Sequence, residues 1–344
     1  MPTYLYPEAR ELQELGPELM AQEIANDPLF SIFPIETVNA ALLQWSVEDD
    51  DLGLQQLRGL DGAPQHVKPV GNKSYVAEPG YYGEFETVTE KELTERGGSV
   101  IGEAVVSIED SVLTRQRQLV AREVNRIRQI CWLLLTTGTF SVSGKGGTLV
   151  YTDTFAIQSY TGSNWGVPAT ATPLADLRAM QQMGSQFGVD FNASSMFFIN
   201  RVDANNMLKN SNAADLGGRR TLGGGTVNSI AEANRIIMGE DLPEIVVYDR
   251  GYKNDANTYT KFITNGNGTL VGRRQEGDRV GAYRMTRNLN NPAGTPGSYE
   301  YVKDYVRGIN APKETPPKIE VHRGHNGGPV LTRPKAIVKV AIGA

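Results

Sequence analysis

Few residues of the chain fall in a pattern that indicates a catalytic, nucleotide or metal site. The stretch from Gly138 to Lys145 approaches a phosphate-binding loop, but its spacing is five residues instead of four, and Gly146 stands where a Ser or Thr would hold magnesium. His322 and His325, three residues apart, could chelate a metal, yet no pattern of a third ligand accompanies them. We favour a hairpin turn and surface histidines over a nucleotide site and a metal site.

Nucleophilic catalysis has equally little support. The single cysteine, Cys131, falls in an apolar helical stretch, which favours a buried small hydrophobe over a nucleophile or a metal ligand. The third histidine, His66, is far in sequence from the other two, so a Ser-His-Asp site lacks support, although sequence distance alone does not exclude one. We expect no catalytic residue, no metal site and no cofactor, and a protein that is not an enzyme.

A loop rich in glycine and arginine, residues 217–225, is open to two interpretations. Flexible glycines flank Arg219 and Arg220, which could bind phosphate or nucleic acid. A loop at a symmetry axis, or in the lumen of an oligomer, would have the same composition. We favour the axis or lumen loop, since the net charge of −5 and the pI near 5.5 argue against a dedicated nucleic-acid binder.

Charge is divided unevenly along the chain. The first hundred residues hold 18 Asp and Glu against 6 Lys and Arg, a net of −12, while the other 244 hold 21 against 28, a net of +7. The densest acidic run is Glu48, Asp49, Asp50 and Asp51. Opposite charges attract, and the acidic part lacks an evident core of its own. We therefore expect it to meet the basic part of a neighbouring copy rather than its own.

The strongest helix signal covers about Ile108 to Thr137. Its apolar residues follow the 3.6-residue period as one stripe, Ser107 can cap its start, and Gly138 follows its end. Three arginines fall on the opposite side at i, i+7 and i+11: Arg115, Arg122 and Arg126. Together with the acidic run and Trp45, they are our candidates for intersubunit contacts. A solvated helix face is the alternative for the arginines.

The remaining elements indicate a chain of mixed helices and strands. At 344 residues it exceeds the roughly 250–300 at which single cores stop growing, so more than one packed unit is expected. Short helical pieces come before residue 26, a hairpin with a long tip follows, and β-like and mixed sections come after the long helix. A further hairpin is predicted from Lys261 to Gly272, across the turn Asn265-Gly266. We see no signal peptide and no apolar run long enough to span a bilayer, so we expect a cytosolic product without membrane contact.

This order resembles the HK97-like fold of tailed-phage major capsid proteins. Several stretches look more narrowly like the lambda-type major capsid protein E family. These are Glu36-Thr37-Val38 through Trp45 and the acidic run, Thr89-Glu90-Lys91-Glu92-Leu93, Ile245-Val246-Val247-Tyr248-Asp249 with Tyr252 and Asp255, and Phe262-Ile263 to Val271-Gly272. The expected class is α+β.

The resemblance implies a set of domains. Residues 1–35 would be the N-terminal arm, 36–80 an extended E-loop and 81–193 a P-domain with its spine helix at 107–137. Residues 194–316 would be the A-domain, and the strands of 317–344 would return to the P-domain.

The resemblance also implies a function: a major capsid protein that forms pentamers and hexamers and then an icosahedral shell around double-stranded DNA. Its partners would be copies of itself, a scaffolding protein, a portal, a possible decoration protein and, by non-specific contact, the packaged DNA. It would be made in the host cytoplasm and end in the virion. An encapsulin-like compartment is the main alternative, followed by an α/β enzyme with an unrecognised site and by a virion accessory or tail protein.

Overall fold

The computed structural model describes residues 9–48, 54, 72–89, 108–143, 149–167, 169–209, 229–254, 256–272, 279–291, 294–304 and 318–343. The chain divides into two compact units, each made of separated stretches. Unit 1 comprises residues 1–43, 77–128 and 283–328; unit 2 comprises residues 44–76, 129–282 and 329–344.

Six α-helices are formed by the described residues. They are α1 (Ala9–Ala25), α2 (Pro28–Ile32), α3 (Ile108–Thr137), α4 (Pro173–Gly184), α5 (Arg201–Lys209) and α6 (Ile230–Gly239), with 3-10 turns at Ser185–Phe187 and Pro334–Ala336. Helix α3 has the predicted bounds, and Gly138 follows it with a φ of 78°, the left-handed conformation that ends many helices. Among the described residues, no helix is both long and apolar enough to cross a membrane.

Sixteen strands complete the described secondary structure. They are β1 (Ile35–Thr37), β2 (Leu43–Glu48), β3 (Asn72–Ala77), β4 (Gly80–Thr89), β5 (Thr139–Ser143), β6 (Leu149–Thr154), β7 (Gln158–Thr161), β8 (Met196–Ile199), β9 (Glu244–Val247), β10 (Gly251–Lys253), β11 (Tyr259–Lys261), β12 (Asn267–Val271), β13 (Gly281–Met285), β14 (Tyr299–Asp304), β15 (Lys318–Leu331) and β16 (Ile337–Ala341). The strands of two predicted hairpins are paired: β2 pairs with β3, and β5 pairs antiparallel with β6. Most of the predicted tip, and all of the turn at residues 144–148, lie outside the described residues.

The sheet of unit 1 is built around the long strand β15. Strand β14 and strand β4 both pair antiparallel with it, and because they share the partners Ile319 to Gly324, they lie along opposite edges of β15. Strand β13 also borders β15 and pairs in parallel with the short strand β1. Side chains alternate across a strand, so Arg323 and His325 share one face, and His322 lies on the other.

The segment after α1 belongs to the core of unit 1. Asp27 caps α2 by accepting a hydrogen bond from the Leu29 amide at 3.1 Å, and the side chains of Leu29 and Phe33 are fully buried. Strand β1 then joins the sheet. The second half of the expected arm thus has a core position in its own chain.

Unit 2 is organised around a five-stranded sheet in the order β7-β16-β12-β8-β9. Strands β7 and β16 run parallel, as do β8 and β9, while β12 is antiparallel to both of its neighbours. Helices α4, α5 and α6 contribute to its apolar core, which includes Trp165, Leu177, Phe197, Met207 and Ile236.

The predicted hairpin from Lys261 to Gly272 is wrong. The turn is present, with Gly266 at a φ of 77°, but β12 is paired with β8 and β16 on its two edges, so β11 pairs with β10 instead. The Asp203 carboxylate accepts a hydrogen bond from the Gly266 amide at 2.8 Å and fixes the turn against α5.

The core position of the segment after α1 can be tested by truncating Phe33. We expect Phe33→Ala to lower the free energy of unfolding by about 3–5 kcal/mol, because it leaves a cavity in unit 1. The control is Leu289→Ala, at a side chain that is 98% exposed, measured by the same urea titration. Equal effects of the two substitutions would mean that residues 27–37 do not pack in this core.

Candidate functional site: the charged face of the long helix

The arginine face of α3 lies against strand β4. Arg115 Nη1 lies 3.2 Å from Glu86 Oε2, and Arg122 Nη2 donates to Glu84 Oε1 at 2.9 Å. Tyr82, two residues earlier in β4, has its ring centroid 6.0 Å from the Arg126 guanidinium carbon, within the range of a cation–π contact. Residues two apart in a strand share a face, so Tyr82, Glu84 and Glu86 meet successive turns of the helix.

These surface pairs contribute more to register than to stability. The side chains of Arg122 and Glu84 are 63% and 50% exposed, and such pairs are worth about 0–1 kcal/mol. The hydrogen bond from Arg122 lowers the pKa of Glu84 despite its partial burial. Arg115 and Glu86 are less exposed and extend the same pairing toward the start of the helix.

A deeper pair joins α3 to the segment before α2. Arg128 Nε donates to Asp27 Oδ2 at 2.7 Å, and both side chains are almost completely buried. Arg128 Nη2 also donates to the Glu23 carbonyl at 2.9 Å, and the guanidinium lies 5.9 Å from the Phe30 ring centroid. The charge asymmetry of the sequence is therefore partly met within one chain, because these acids lie in its first hundred residues.

Glu123 is a buried carboxylate whose role was not predicted from the sequence. It lies on the buried side of α3, where it accepts hydrogen bonds from Arg323 Nε and, at 2.6 Å, from Ser298 Oγ. His325 Nδ1 lies 2.9 Å from Glu123 Oε1, while His325 Nε2 lies 2.8 Å from the Tyr283 hydroxyl. The available signal was a single acid inside the apolar stripe of α3, beside Val120, Val124 and Ile127.

Arg323 links this carboxylate to a second one. Its Nη1 donates to Glu300 Oε2, so one guanidinium bridges Glu123 of α3 and Glu300 of β14. Burial raises the pKa of Glu123, but His325, Arg323 and Ser298 outweigh that effect and hold the pKa at about 2. Burial raises the pKa of Glu300, and Arg323 offsets only part of the rise. We call Glu123, Arg323, Glu300 and His325 the buried cluster.

The two neighbouring histidines point to opposite faces of the sheet. His325 is fully buried in the cluster, so the expectation of a surface histidine is wrong for it. His322 lies between the rings of Phe85 and Tyr301, with centroids 5.0 and 4.5 Å away. Because the two imidazoles lie on opposite faces, they cannot hold one metal ion together.

The other predicted contact residues are not gathered at this face. Trp45 is 7% exposed and stacks on Tyr75 at 5.3 Å between centroids, with Phe155 5.9 Å away, all within unit 2. The side chain of Glu48 and residues 49–51 lie outside the described part of the chain, as do Arg219 and Arg220. An intersubunit role for Arg115, Arg122 and Arg126 stays a prediction; the structure shows their contacts within the chain.

Neutralising Glu123 tests how much the buried cluster contributes to the free energy of unfolding. We expect Glu123→Gln to lower the free energy of unfolding at neutral pH by about 3 kcal/mol, because it leaves buried Arg323 and His325 without this carboxylate. The control is Glu84→Gln, which breaks an exposed pair and is expected to cost at most about 1 kcal/mol. Urea unfolding at matched salt compares them, and similar losses in both variants would contradict the assignment.

The same cluster predicts how the free energy of unfolding changes at acid pH. A carboxylate with a pKa of about 2 when folded and 4.5 when unfolded stabilises the fold above pH 4.5, and this contribution is lost as the pH falls through that interval. The effect of Glu300 on stability has the opposite sign. Because its pKa is raised in the folded state, its contribution is present at low pH and is lost as the pH rises. Unfolding titrations of the wild type and Glu123→Gln across the acid range should show a shallower loss in the variant. Parallel curves would rule out Glu123 as the source.

The solved structures that are similar to the chain over almost its whole length include two phage-related proteins. A putative capsid protein of a prophage from Escherichia coli CFT073 has a TM-score of 0.56 and 16% identity, covering 95% of this chain and 98% of that one. A phage-related protein from Bordetella bronchiseptica RB50 has a TM-score of 0.52 and 12% identity, covering 95% and 97%. No protein-family model and no curated protein matches the sequence. The structural likeness confirms the predicted fold: the chain has the HK97-like α+β fold.

Proposed function

We propose that the chain is the major capsid protein of a tailed phage and that its role is structural rather than catalytic. The observation that carries the proposal is the likeness to a prophage capsid protein, which extends over 95% of this chain and 98% of the other. The proposed product is an icosahedral shell, built through pentamers and hexamers, that encloses double-stranded DNA.

The proposed domains follow the sequence expectation. Residues 1–35 act as the arm, 36–80 as the E-loop, 81–193 as the P-domain, 194–316 as the A-domain and 317–344 as the returning strands. Partners in assembly are other copies of the chain, with a scaffolding protein, a portal and a possible decoration protein. The narrower likeness to the lambda-type family is part of the same proposal.

A shell subunit needs a stiff body and many modest contacts. In unit 1, the buried cluster fixes α3 on the sheet, and the apolar stripe of α3 supplies the stiffness. Contacts between copies are repeated across a shell, so each can be weak enough for errors to dissociate while the total is large. Exposed ion pairs of about 0–1 kcal/mol suit such contacts.

Electron microscopy of the purified chain tests the proposal directly. We expect pentamers, hexamers or closed shells, and we expect high salt to loosen them because it screens exposed charges. A compact monomer at high concentration, seen by small-angle scattering, would refute the capsid role. The contents decide between the alternatives, since DNA indicates a capsid, whereas an enclosed enzyme indicates a cargo compartment.

The acidic run offers a separate test of contacts between copies. Changing Asp49, Asp50 and Asp51 together to Asn should slow assembly and reduce its sensitivity to salt, because long-range attraction steers encounter. The unfolding free energy should change by less than about 1 kcal/mol. A control with the same net charge changes three exposed acids elsewhere in the chain, Glu18, Glu78 and Asp190, to their amides. If the light-scattering assembly curves of the two variants coincide, the acidic run has no specific role in contacts between copies.

A further inference from the structure

Helix α1 contains a buried glycine, Gly16, immediately before a proline. Gly16 lies in the interior of Ala9–Ala25, and an interior glycine costs a helix about 0.5–1 kcal/mol relative to alanine. The residue is buried, although the next two residues, Pro17 and Glu18, are exposed. Pro17 follows it, and a proline ring crowds a Cβ on the preceding helical residue, so the proline and the packing around residue 16 both favour glycine there.

The packing constraint comes from the buried cluster. A Cβ added to Gly16 would lie 2.2 Å from Glu300 Oε2 and 2.7 Å from Arg323 Nη1, far inside van der Waals contact. Both groups end long side chains, yet neither is free to move aside, because they are 6% and 3% exposed and are bonded to each other. The backbone of α1 therefore lies directly on the ion pair.

Two more contacts hold the rest of the helix in place. Met20 Sδ lies 3.8 Å from both Ser298 Oγ and Arg323 Nη2, so the next turn of α1 covers the same cluster. Near the end of the helix, the Glu23 carbonyl accepts a hydrogen bond from Arg128 at 2.9 Å. Gly16, Met20 and Glu23 thus form a line of contacts along one side of α1, all within unit 1.

We propose that α1 is a strap that closes over the buried cluster and is seated there by Gly16. A docked strap keeps water from Arg323 and Glu300, and ion pairs that water does not reach are screened less. Undocking would hydrate the pairs that connect α3 with β14 and β15. The position of the N-terminal helix is thereby coupled to the clamp that holds α3 on the sheet. The proposal does not depend on the proposed capsid function, since it concerns one chain.

Hydrogen exchange of the α1 amides tests the strap. In Gly16→Ala the added Cβ overlaps the ion pair, so the α1 amides should lose about tenfold in protection. Pro17 also crowds that Cβ, and the Glu300→Ala background separates the two causes. The control is Glu18→Ala, an exposed change in the same helix, with α3 amides as the internal reference. Retained or increased protection in Gly16→Ala, or an equal loss in Glu18→Ala, would overturn the proposal.

Repeating Gly16→Ala in a Glu300→Ala variant separates the steric conflict with Glu300 from other ways in which the substitution could destabilise α1. In Glu300→Ala the nearest atom is gone, so adding Gly16→Ala should cost α1 much less protection than it does in the wild type. An undiminished loss would show that the conflict with Glu300 is not the cause and would refute the seating. Should Gly16→Ala not fold, Met20→Ala removes a contact without adding atoms, and unchanged α1 protection in that variant would refute the strap.

Discussion

The fold of unit 1 depends on one buried carboxylate. A charged group out of water is tolerated only when it is paired and hydrogen-bonded, so Glu123 requires donors at fixed positions. Two of them, Arg323 and His325, come from a single strand, two residues apart on one face. A slip of β15 by one residue would present His322 and Gly324 instead, leaving the carboxylate without these partners. Because β4 and β14 pair with the same stretch of β15, their registers follow from it.

Charge in this chain is organised by depth. The buried cluster and the Arg128–Asp27 pair are kept from water, so breaking either leaves an uncompensated charge in the core. The outer pairs, such as Arg122 with Glu84, are half exposed and exchange readily with water and salt. Fixed pairs and exchangeable pairs thus both occur along one helix. The buried pairs specify the structure, whereas the exposed pairs leave charge accessible at the surface.

Local signals in the sequence predicted the elements but not their partners. Helix α3 was predictable in full because both of its signals, the apolar period and the glycine after its last residue, lie within one continuous stretch of sequence. The role of Glu123 was not, since it depends on Arg323 and His325, which are distant in sequence. The failed hairpin at Asn265-Gly266 has the same cause: a turn signal is local, but β12 was already paired on both edges. The overall fold was recognisable only from the order of elements over the whole chain.

The intrachain pairs change what the charge asymmetry implies for contacts between copies. Glu84 and Glu86 are held beside Arg122 and Arg115 by the fold itself, which gives them a high effective concentration at those arginines. An acid from a neighbour must displace them and gains only the difference between two exposed pairs, each worth about 0–1 kcal/mol. Under the proposed function, the acidic N-terminal part would therefore act on a neighbour mainly through its long-range field, which affects the rate and orientation of encounter, while apolar contact would have to supply the affinity.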